Sequence, residues 1–185
     1  QPFDDLLSAF AQDVTTTRYA TWDDLLDYCC RSANPVGRLV LRIAGYDDER
    51  LAAQSDAVCT ALQLVNFWQD FAIDWRRGRL YLPLDEAERW GAQVDDLDPA
   101  HLSREWRQAL EAAATRTRQL FLAGRPVCDG VSGRLRYELR VTWLGGTMIL
   151  DRLAAAGFDP YHHRPSIGPR DAWPLLRRAI SWRGP

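Results

Sequence analysis

Apolar residues recur with a helical period along most of this chain. Phe3, Leu6, Leu7 and Phe10 are three or four residues apart, and Trp22, Leu25, Leu26, Tyr28 and Cys29 repeat the spacing after Thr21. The pattern predicts a helix from Pro2 to about Asp13 and a longer one from Trp22, with Thr21 and Asp24 as a capping box. Pro35 and Gly37 interrupt the second, which predicts a kink near Val36, with a helix-turn-helix at Asn34-Pro35 as the alternative. Gly45 ends that segment, Asp47 and Asp48 place charge at the next N-terminus, and a long helix runs from about Glu49 through Arg77. A short acidic helix after Pro83 ends near Gly91. Asp98 and Pro99 read as the cap and first-turn proline of a helix reaching Gly124. A last long helix after Asp129 carries Tyr137, Val141, Leu144, Met148, Ile149 and Leu153 until Gly157 and Pro160 stop it. Gly145-Gly146 in its middle allows close helix packing or leaves room for a ligand. No stretch alternates with period two and no repeat is evident, so residues 1–185 read as a single all-α domain.

The helix ending at Arg77 breaks the usual amphipathic division. At about 100° per residue, Gln63, Asn66, Asp70 and Asp74 fall within about 80° of one another. Leu62, Leu64, Val65, Phe67, Phe71 and Ile73 flank them, so the polar positions form a line along a mostly apolar helix. Carboxylates one turn apart repel, and burying unpaired anions costs several kcal/mol, so the natural partner is a cation. Mg²⁺ suits an open Asp-x-x-x-Asp face with an amide one turn earlier, where water and phosphate complete the ligands. Arg76, Arg77 and Arg79 follow at the helix exit around Gly78, a left-handed terminator, and arginine forks match phosphate oxygens. The alternative is a solvated acidic patch followed by arginines that complement the helix dipole.

Composition narrows the picture further. With 185 residues, 46% hydrophobic content and a formal charge of −2, the chain can build one core and has no polyanion-seeking balance, so nucleic acid is not an expected partner. Eight tryptophans imply large apolar surfaces covered by core, lipid or a partner. Cys29, Cys30, Cys59 and Cys128 lack paired ligand spacing, which fits free thiols in a reducing cytosol. The longest mainly apolar run, Val141–Leu150, is too short to span a bilayer, and no leader is visible. The expectation is therefore a cytoplasmic protein, peripheral to membrane at most. His162-His163 lack further ligands nearby and read as no metal site, while Arg104, Glu105, Arg107, Glu111, Arg116 and Arg118 read as a solvated face. In the tail, Trp173, Leu176, Ile180 and Trp182 oppose Arg170, Arg177, Arg178 and Arg183, which predicts a docked closing helix, with peripheral membrane contact as the alternative.

The string Gln63-x-x-Asn66-x-x-x-Asp70-x-x-x-Asp74, followed by Arg77-Gly78-Arg79-x-Tyr81-Leu82-Pro83, resembles the second aspartate-rich motif of the squalene and phytoene synthase family of head-to-head prenyl synthases. The resemblance extends through Tyr28, Cys29, Pro35, Val36 and Gly37, Arg136 to Arg140, Leu144 to Gly146, and Ala156 to Phe158. Arg18 to Trp22, Arg31 to Gly37 and Asn66 to Asp70 resemble its bacterial hopanoid-pathway branch. The resemblance implies an isoprenoid-synthase-type helical bundle and a Mg²⁺-dependent enzyme that ionises a polyprenyl diphosphate in a closed apolar cavity. In the hopanoid branch, presqualene diphosphate and water give hydroxysqualene and diphosphate. By the same carry-over Asp70 and Asp74 bind metal, Asn66 and Gln63 assist, and Arg77 and Arg79 hold diphosphate. Val36 and Gly37 lie beside the substrate, and Tyr28 and Tyr137 line the cavity near the cation.

One part of the family pattern is missing. A first aspartate-rich motif faces the second in the family, and Asp4-Asp5 and Asp23-Asp24 lack its pattern and place. The chain therefore reads as the C-terminal part of such a domain, incomplete for catalysis alone. Head-to-head condensation to presqualene diphosphate or phytoene, and a non-catalytic scaffold of the same fold, are the alternatives.

Overall fold

A computed structural model describes residues 2–98, 100–162 and 164–182; Pro99, His163 and Arg183, which the sequence reading used, lie outside them. The helices are α1 (Pro2–Thr15), α2 (Trp22–Ser32), α3 (Asn34–Ile43), α4 (Glu49–Arg76), α5 (Leu84–Arg89), α6 (Arg104–Gly124), α7 (Val127–Gly130), α8 (Gly133–Ala155) and α9 (Pro169–Ser181). Among the described residues there is no strand, only an isolated parallel bridge between Arg18 and Leu80. The fold is all-α, as the helical periodicity predicts.

The bundle is built on α4, which packs against α2, α3, α6, α7 and α8. Its Val58, Ala61, Leu64, Val65, Phe67, Trp68, Phe71 and Ala72 are buried, and each large side chain contributes about 1.5–3 kcal/mol on leaving water. Trp68 is fully enclosed. Its Nε1 donates to Thr117 Oγ1 at 2.8 Å, and Thr117 in turn donates to the Ala113 carbonyl at 2.8 Å, so the one polar atom of the ring is satisfied on α6. Small residues let neighbours approach α4. A Cβ on Gly146 would lie 2.4 Å from Phe121 Cζ and 2.9 Å from Leu62 Cδ2, so close packing, not ligand space, accounts for this glycine.

Several boundaries differ from the periodic pattern. The helix containing Tyr28 stops at Ala33 (φ −117, ψ −46), and α3 restarts at Asn34 with Pro35 in its first turn. The interruption is thus a break at Ala33 and not a kink near Val36, because a proline sits without penalty where its missing N–H has no helical partner. At α6, Ser103 Oγ accepts from the Trp106 N–H at 3.3 Å and starts the helix at Arg104. Asp98 instead closes a turn onto the Ala100 N–H at 2.7 Å. Thr21 and Asp24 do form the capping box, and Asp48 caps α4 through the Leu51 N–H at 2.8 Å. Much of the charged surface of α6 is solvated as expected, but Arg107 reaches the buried Asp159 at 2.7 Å.

The closing helix α9 docks on α8, though not by the expected face. Leu175 and Ala179 are buried, and Trp182 places its ring under Arg125 and Arg140 while its Nε1 donates to Asp129 at 3.1 Å. Trp173, Leu176 and Ile180, grouped with Trp182 by the sequence pattern, point outward with 73%, 43% and 62% exposure. Among the described residues no helix is long and apolar enough to cross a membrane.

Candidate active site

The polar line of α4 runs between buried side chains in the second half of that helix. Asn66 is exposed, and Gln63, Asp70 and Asp74 are half-buried between enclosed Leu64, Val65, Phe67, Phe71 and Ala72. The predicted stripe is therefore present, as a partly open edge and not as a fully buried row. Its electrostatics are uneven. The Asp74 carboxyl is pushed up to about 6, first by burial and then by the neighbouring Asp70 anion, while Arg77 and Arg79 pull it back in part. Asp70 meets a cation directly, since Arg164 Nε donates to its Oδ1 at 2.5 Å.

Beyond Asp74 the chain turns sharply. The N–H groups of Arg77 and Arg79 both donate to the Asp74 carbonyl, at 3.0 and 2.9 Å, and Gly78 takes φ +78, a value that disfavours any side chain. Arg77 stays exposed. The Arg79 guanidinium turns inward and donates to the Tyr81 hydroxyl at 3.1 Å and to the Asp13 carbonyl at 3.0 Å. The segment after it lies along the α1–α2 connection, with Leu80 N–H donating to Thr17 at 2.8 Å and Leu84 N–H to Tyr19 at 3.0 Å.

That pairing assembles an aromatic wall beside the stripe. Tyr81 stacks on Phe67 with ring centroids 3.8 Å apart and planes 7° apart, Tyr19 lies 5.9 Å from Tyr81, and Tyr28 lies 5.6 Å from Tyr19 and 6.2 Å from Phe67. Burial raises the Tyr28 hydroxyl well above the usual phenol range, and its hydrogen bond to the Asp13 side chain raises it further; burial does the same to Tyr19 and Tyr81. All three are neutral hydroxyls at ordinary pH, so the wall offers ring faces without phenolate charge.

The remaining predicted positions lie elsewhere. Tyr137 is half-exposed on α8 beneath Arg140, 5.8 Å from its ring, and touches none of the wall aromatics among the described residues. Val36 is half-exposed on α3, on the same open face as Val40 and Ile43. Gly37 faces α4: a Cβ there would lie 2.4 Å from Ser55 Oγ and 2.5 Å from Cys59 Sγ, so its first role is helix contact.

The sequence reading did not assign Arg164, Asp13, Tyr19 or Tyr81. Tyr81 was legible within the Tyr-Leu-Pro end of the motif string. Arg164 carries no periodic signal, because it belongs to the irregular segment between α8 and α9. That segment is strapped over the motif helix: Gln69 Nε2 donates to the Pro165 carbonyl beside the Arg164–Asp70 pair. Asp159 anchors the strap. Although burial opposes its charge, His162, Arg107 and the Tyr161 N–H hold its carboxyl below the usual range. His162 Nδ1 lies 3.0 Å from Asp159 Oδ2 and so braces the strap.

Among the described residues, no cluster of three or more His, Cys, Asp or Glu side chains forms a metal cage. The donor set of the stripe is oxygen only, with two carboxylates one turn apart and the Asn66 amide exposed at the same edge. Such a set fits Mg²⁺, which keeps water and phosphate ligands and needs only one or two protein carboxylates.

An all-helical bundle that presents this edge beside arginines and aromatic rings has the isoprenoid-synthase architecture. Residues 1–171 match the squalene/phytoene synthase family, and the chain belongs to it. It is 47% identical to hydroxysqualene synthase of Zymomonas mobilis over 117 residues, 63% of this chain and 39% of that one. It is 38% identical to hydroxysqualene synthase of Rhodopseudomonas palustris over 167 residues, covering 89% and 56%. The solved squalene synthase HpnC from Alicyclobacillus acidocaldarius superposes with a TM-score of 0.82 at 42% identity, covering 86% of this chain and 60% of that one. A dehydrosqualene synthase with a TM-score of 0.86 at 20% identity shares the fold. The chain spans about half the length of the curated relatives it matches.

Proposed function

We propose that this chain carries the second-motif half of a Mg²⁺-dependent enzyme that ionises a prenyl diphosphate, with presqualene diphosphate and water as substrates and hydroxysqualene and diphosphate as products. The observation that carries the reading is the edge of α4 on which Asp70 and Asp74 stand one turn apart, half-buried among apolar side chains, with Asn66 exposed one turn before them and Arg77 exposed just beyond. Asp70, Asp74 and the Asn66 amide would hold the ion, with Gln63 one turn before them, and the chemistry supplied there is Lewis-acid neutralisation of the leaving diphosphate. Arg77, exposed at the helix exit, would bind the diphosphate oxygens in forked contacts, and Arg79 would join it by exchanging its contacts with Tyr81 and the Asp13 carbonyl for phosphate. The half-buried Tyr81 ring, backed by buried Phe67 and Tyr28, would lie nearest the carbocation left behind, where the quadrupole is attractive and a neutral hydroxyl does not trap it. Val36 and Tyr137, apolar and aromatic groups on open faces of α3 and α8, supply further cavity wall. The relatives are longer than this chain, and further cavity wall and a facing aspartate pair would come from such additional length.

Identity to hydroxysqualene synthases favours the water-quenching branch. Head-to-head condensation is the second reading, favoured by 29% identity to phytoene synthase 1 of Arabidopsis thaliana over 91% of this chain. The experiment is to incubate the enzyme of relatives' length with presqualene diphosphate and Mg²⁺, and separately with farnesyl or geranylgeranyl diphosphate. Hydroxysqualene and diphosphate from presqualene diphosphate alone is the expected result. Products only from the two linear diphosphates would replace it with the condensation reading.

A further inference from the structure

The site leaves one basic surface unexplained, the outward side of α9. At about 100° per residue, Trp173, Leu176 and Ile180 fall within about 60° of one another, on a different side from the docked Leu175, Ala179 and Trp182. They are 73%, 43% and 62% exposed, while the inward pair is buried. Arg170 and Arg177 border this apolar stripe within about 60° of Trp173 on the helical wheel, and Arg178 follows; all three are exposed. None has an ion-pair partner among the described residues. The only acidic residue of α9, Asp171, is neutralised by Arg152, whose two terminal nitrogens reach it at 2.5 and 3.0 Å. The outer side of α9 is therefore an apolar stripe with an unopposed cationic border.

We infer that α9 is a membrane-surface helix that seats Trp173, Leu176 and Ile180 in the headgroup region of an anionic lipid bilayer, with Arg170 and Arg177 against the lipid phosphates. Charge selects this occupant. The molecule has a second open apolar stripe, Phe3, Leu7, Phe10 and Val14 on α1, of comparable exposure. That helix contains Asp4, Asp5 and Asp13 and no basic residue, so an anionic surface repels it while attracting α9. The two stripes thus differ in the chemistry they can meet. Docking through α9 does not disturb its attachment, because the inward side is held separately by Leu175, Ala179 and the Trp182 contacts with Asp129, Arg125 and Arg140. The segment that carries Arg164 to Asp70 leads directly into α9 at Pro169, so the two are covalently continuous.

The test is co-sedimentation of the full chain with vesicles of phosphatidylglycerol and phosphatidylcholine, compared with vesicles of phosphatidylcholine alone. Binding to the anionic vesicles that weakens as salt is raised is expected, with little binding to the neutral ones. Trp173→Ser with Ile180→Ser should weaken anionic binding about ten-fold or more, and Arg170→Gln and Arg177→Gln about five-fold each. Leu7→Ser with Phe10→Ser on α1 should leave it unchanged. The arginine variants remove side chains without intramolecular partners and so keep the test valid if the double α9 variant fails to fold. Equal binding by the arginine variants, or equal binding to neutral vesicles, would overturn the inference. So would a sedimentation-velocity result in which the α9 variants turn a dimer into a monomer while vesicle binding persists, because the stripe would then be an interface between copies.

Discussion

At the scale of single residues, Asp74 gives the sharpest expectations. Its folded carboxyl sits near 6 against an ordinary value of 3.8, so the fold binds its proton more tightly than the unfolded chain does. Stability from this group is present below the unfolded value and is lost as pH rises through about 6, the reverse of a salt-bridged aspartate. Asp74→Asn should therefore melt no lower than the parent at pH 7, and the metal-free parent should lose stability relative to the variant between pH 4 and pH 7; thermal melts at both pH values check this. In the enzyme of relatives' length the same substitution should slow diphosphate release by about two to three orders of magnitude, the usual cost of removing a charge-stabilising group. Arg164 behaves differently. It competes with any cation for Asp70, so Arg164→Ala should strengthen Mg²⁺ binding to the substrate-free protein several-fold in a calorimetric titration, while the half-exposed pair itself contributes only about 0–1 kcal/mol to stability. Unchanged or weaker Mg²⁺ binding in this variant would show that the guanidinium does not guard the carboxylate.

At the scale of helices, long periodic segments were legible and their ends were less so. The stripe from Gln63 to Asp74 was readable because helical geometry alone places those residues on one side, and Thr21 with Asp24 was readable because a capping box is a local interaction. The start of α6 was not, since Asp98 and Ser103 are both competent caps and only the tertiary position of Trp106, fully buried, decides between them. The docked side of α9 was hidden for a related reason: periodicity groups apolar residues without saying which of two adjacent stripes meets a neighbour. Arg164 and Asp13 reach the site across sequence separations of 94 residues to Asp70 and 66 residues to Arg79, which no local pattern encodes. Helix contact also gives a prediction. Gly146→Ala forces a methyl onto the enclosed Phe121 ring and should destabilise the fold by about 1–3 kcal/mol in denaturant titration. A change of a few tenths of a kcal/mol would mean that α8 can slide away from α6 at little cost.

At the scale of the whole molecule, the open apolar faces of α1 and α3 set the expectations. Phe3, Leu7, Phe10 and Val14 on α1 and Ile43 on α3 are largely exposed, more contiguous apolar surface than a monomer usually leaves in water. The chain of 185 residues should therefore bind hydrophobic dye and associate at micromolar concentration, and sedimentation should show Phe10→Ser reducing both. On the proposed reading it should also release diphosphate at less than about one-hundredth of the rate of the enzyme of relatives' length, since two carboxylates alone would stabilise the leaving group far less than a larger set of metal ligands. Full turnover by a monodisperse chain would contradict both expectations. The hydrogen bond from Arg79 to the Asp13 carbonyl has a further consequence, in the order of assembly. The aspartates of α4 are aligned as soon as that helix coils, an event of microseconds or less. Arg79 is fixed only when the segment from Leu80 to Asp85 closes a loop of more than sixty residues onto Thr17, Tyr19 and Ala20. Loop closure of that length delays folding more than it weakens the fold. A refolding chain should thus acquire its anionic edge early and its inward-turned Arg79 late, so a burst of helical signal should precede protection of the Leu80 and Leu84 amides in pulsed hydrogen exchange.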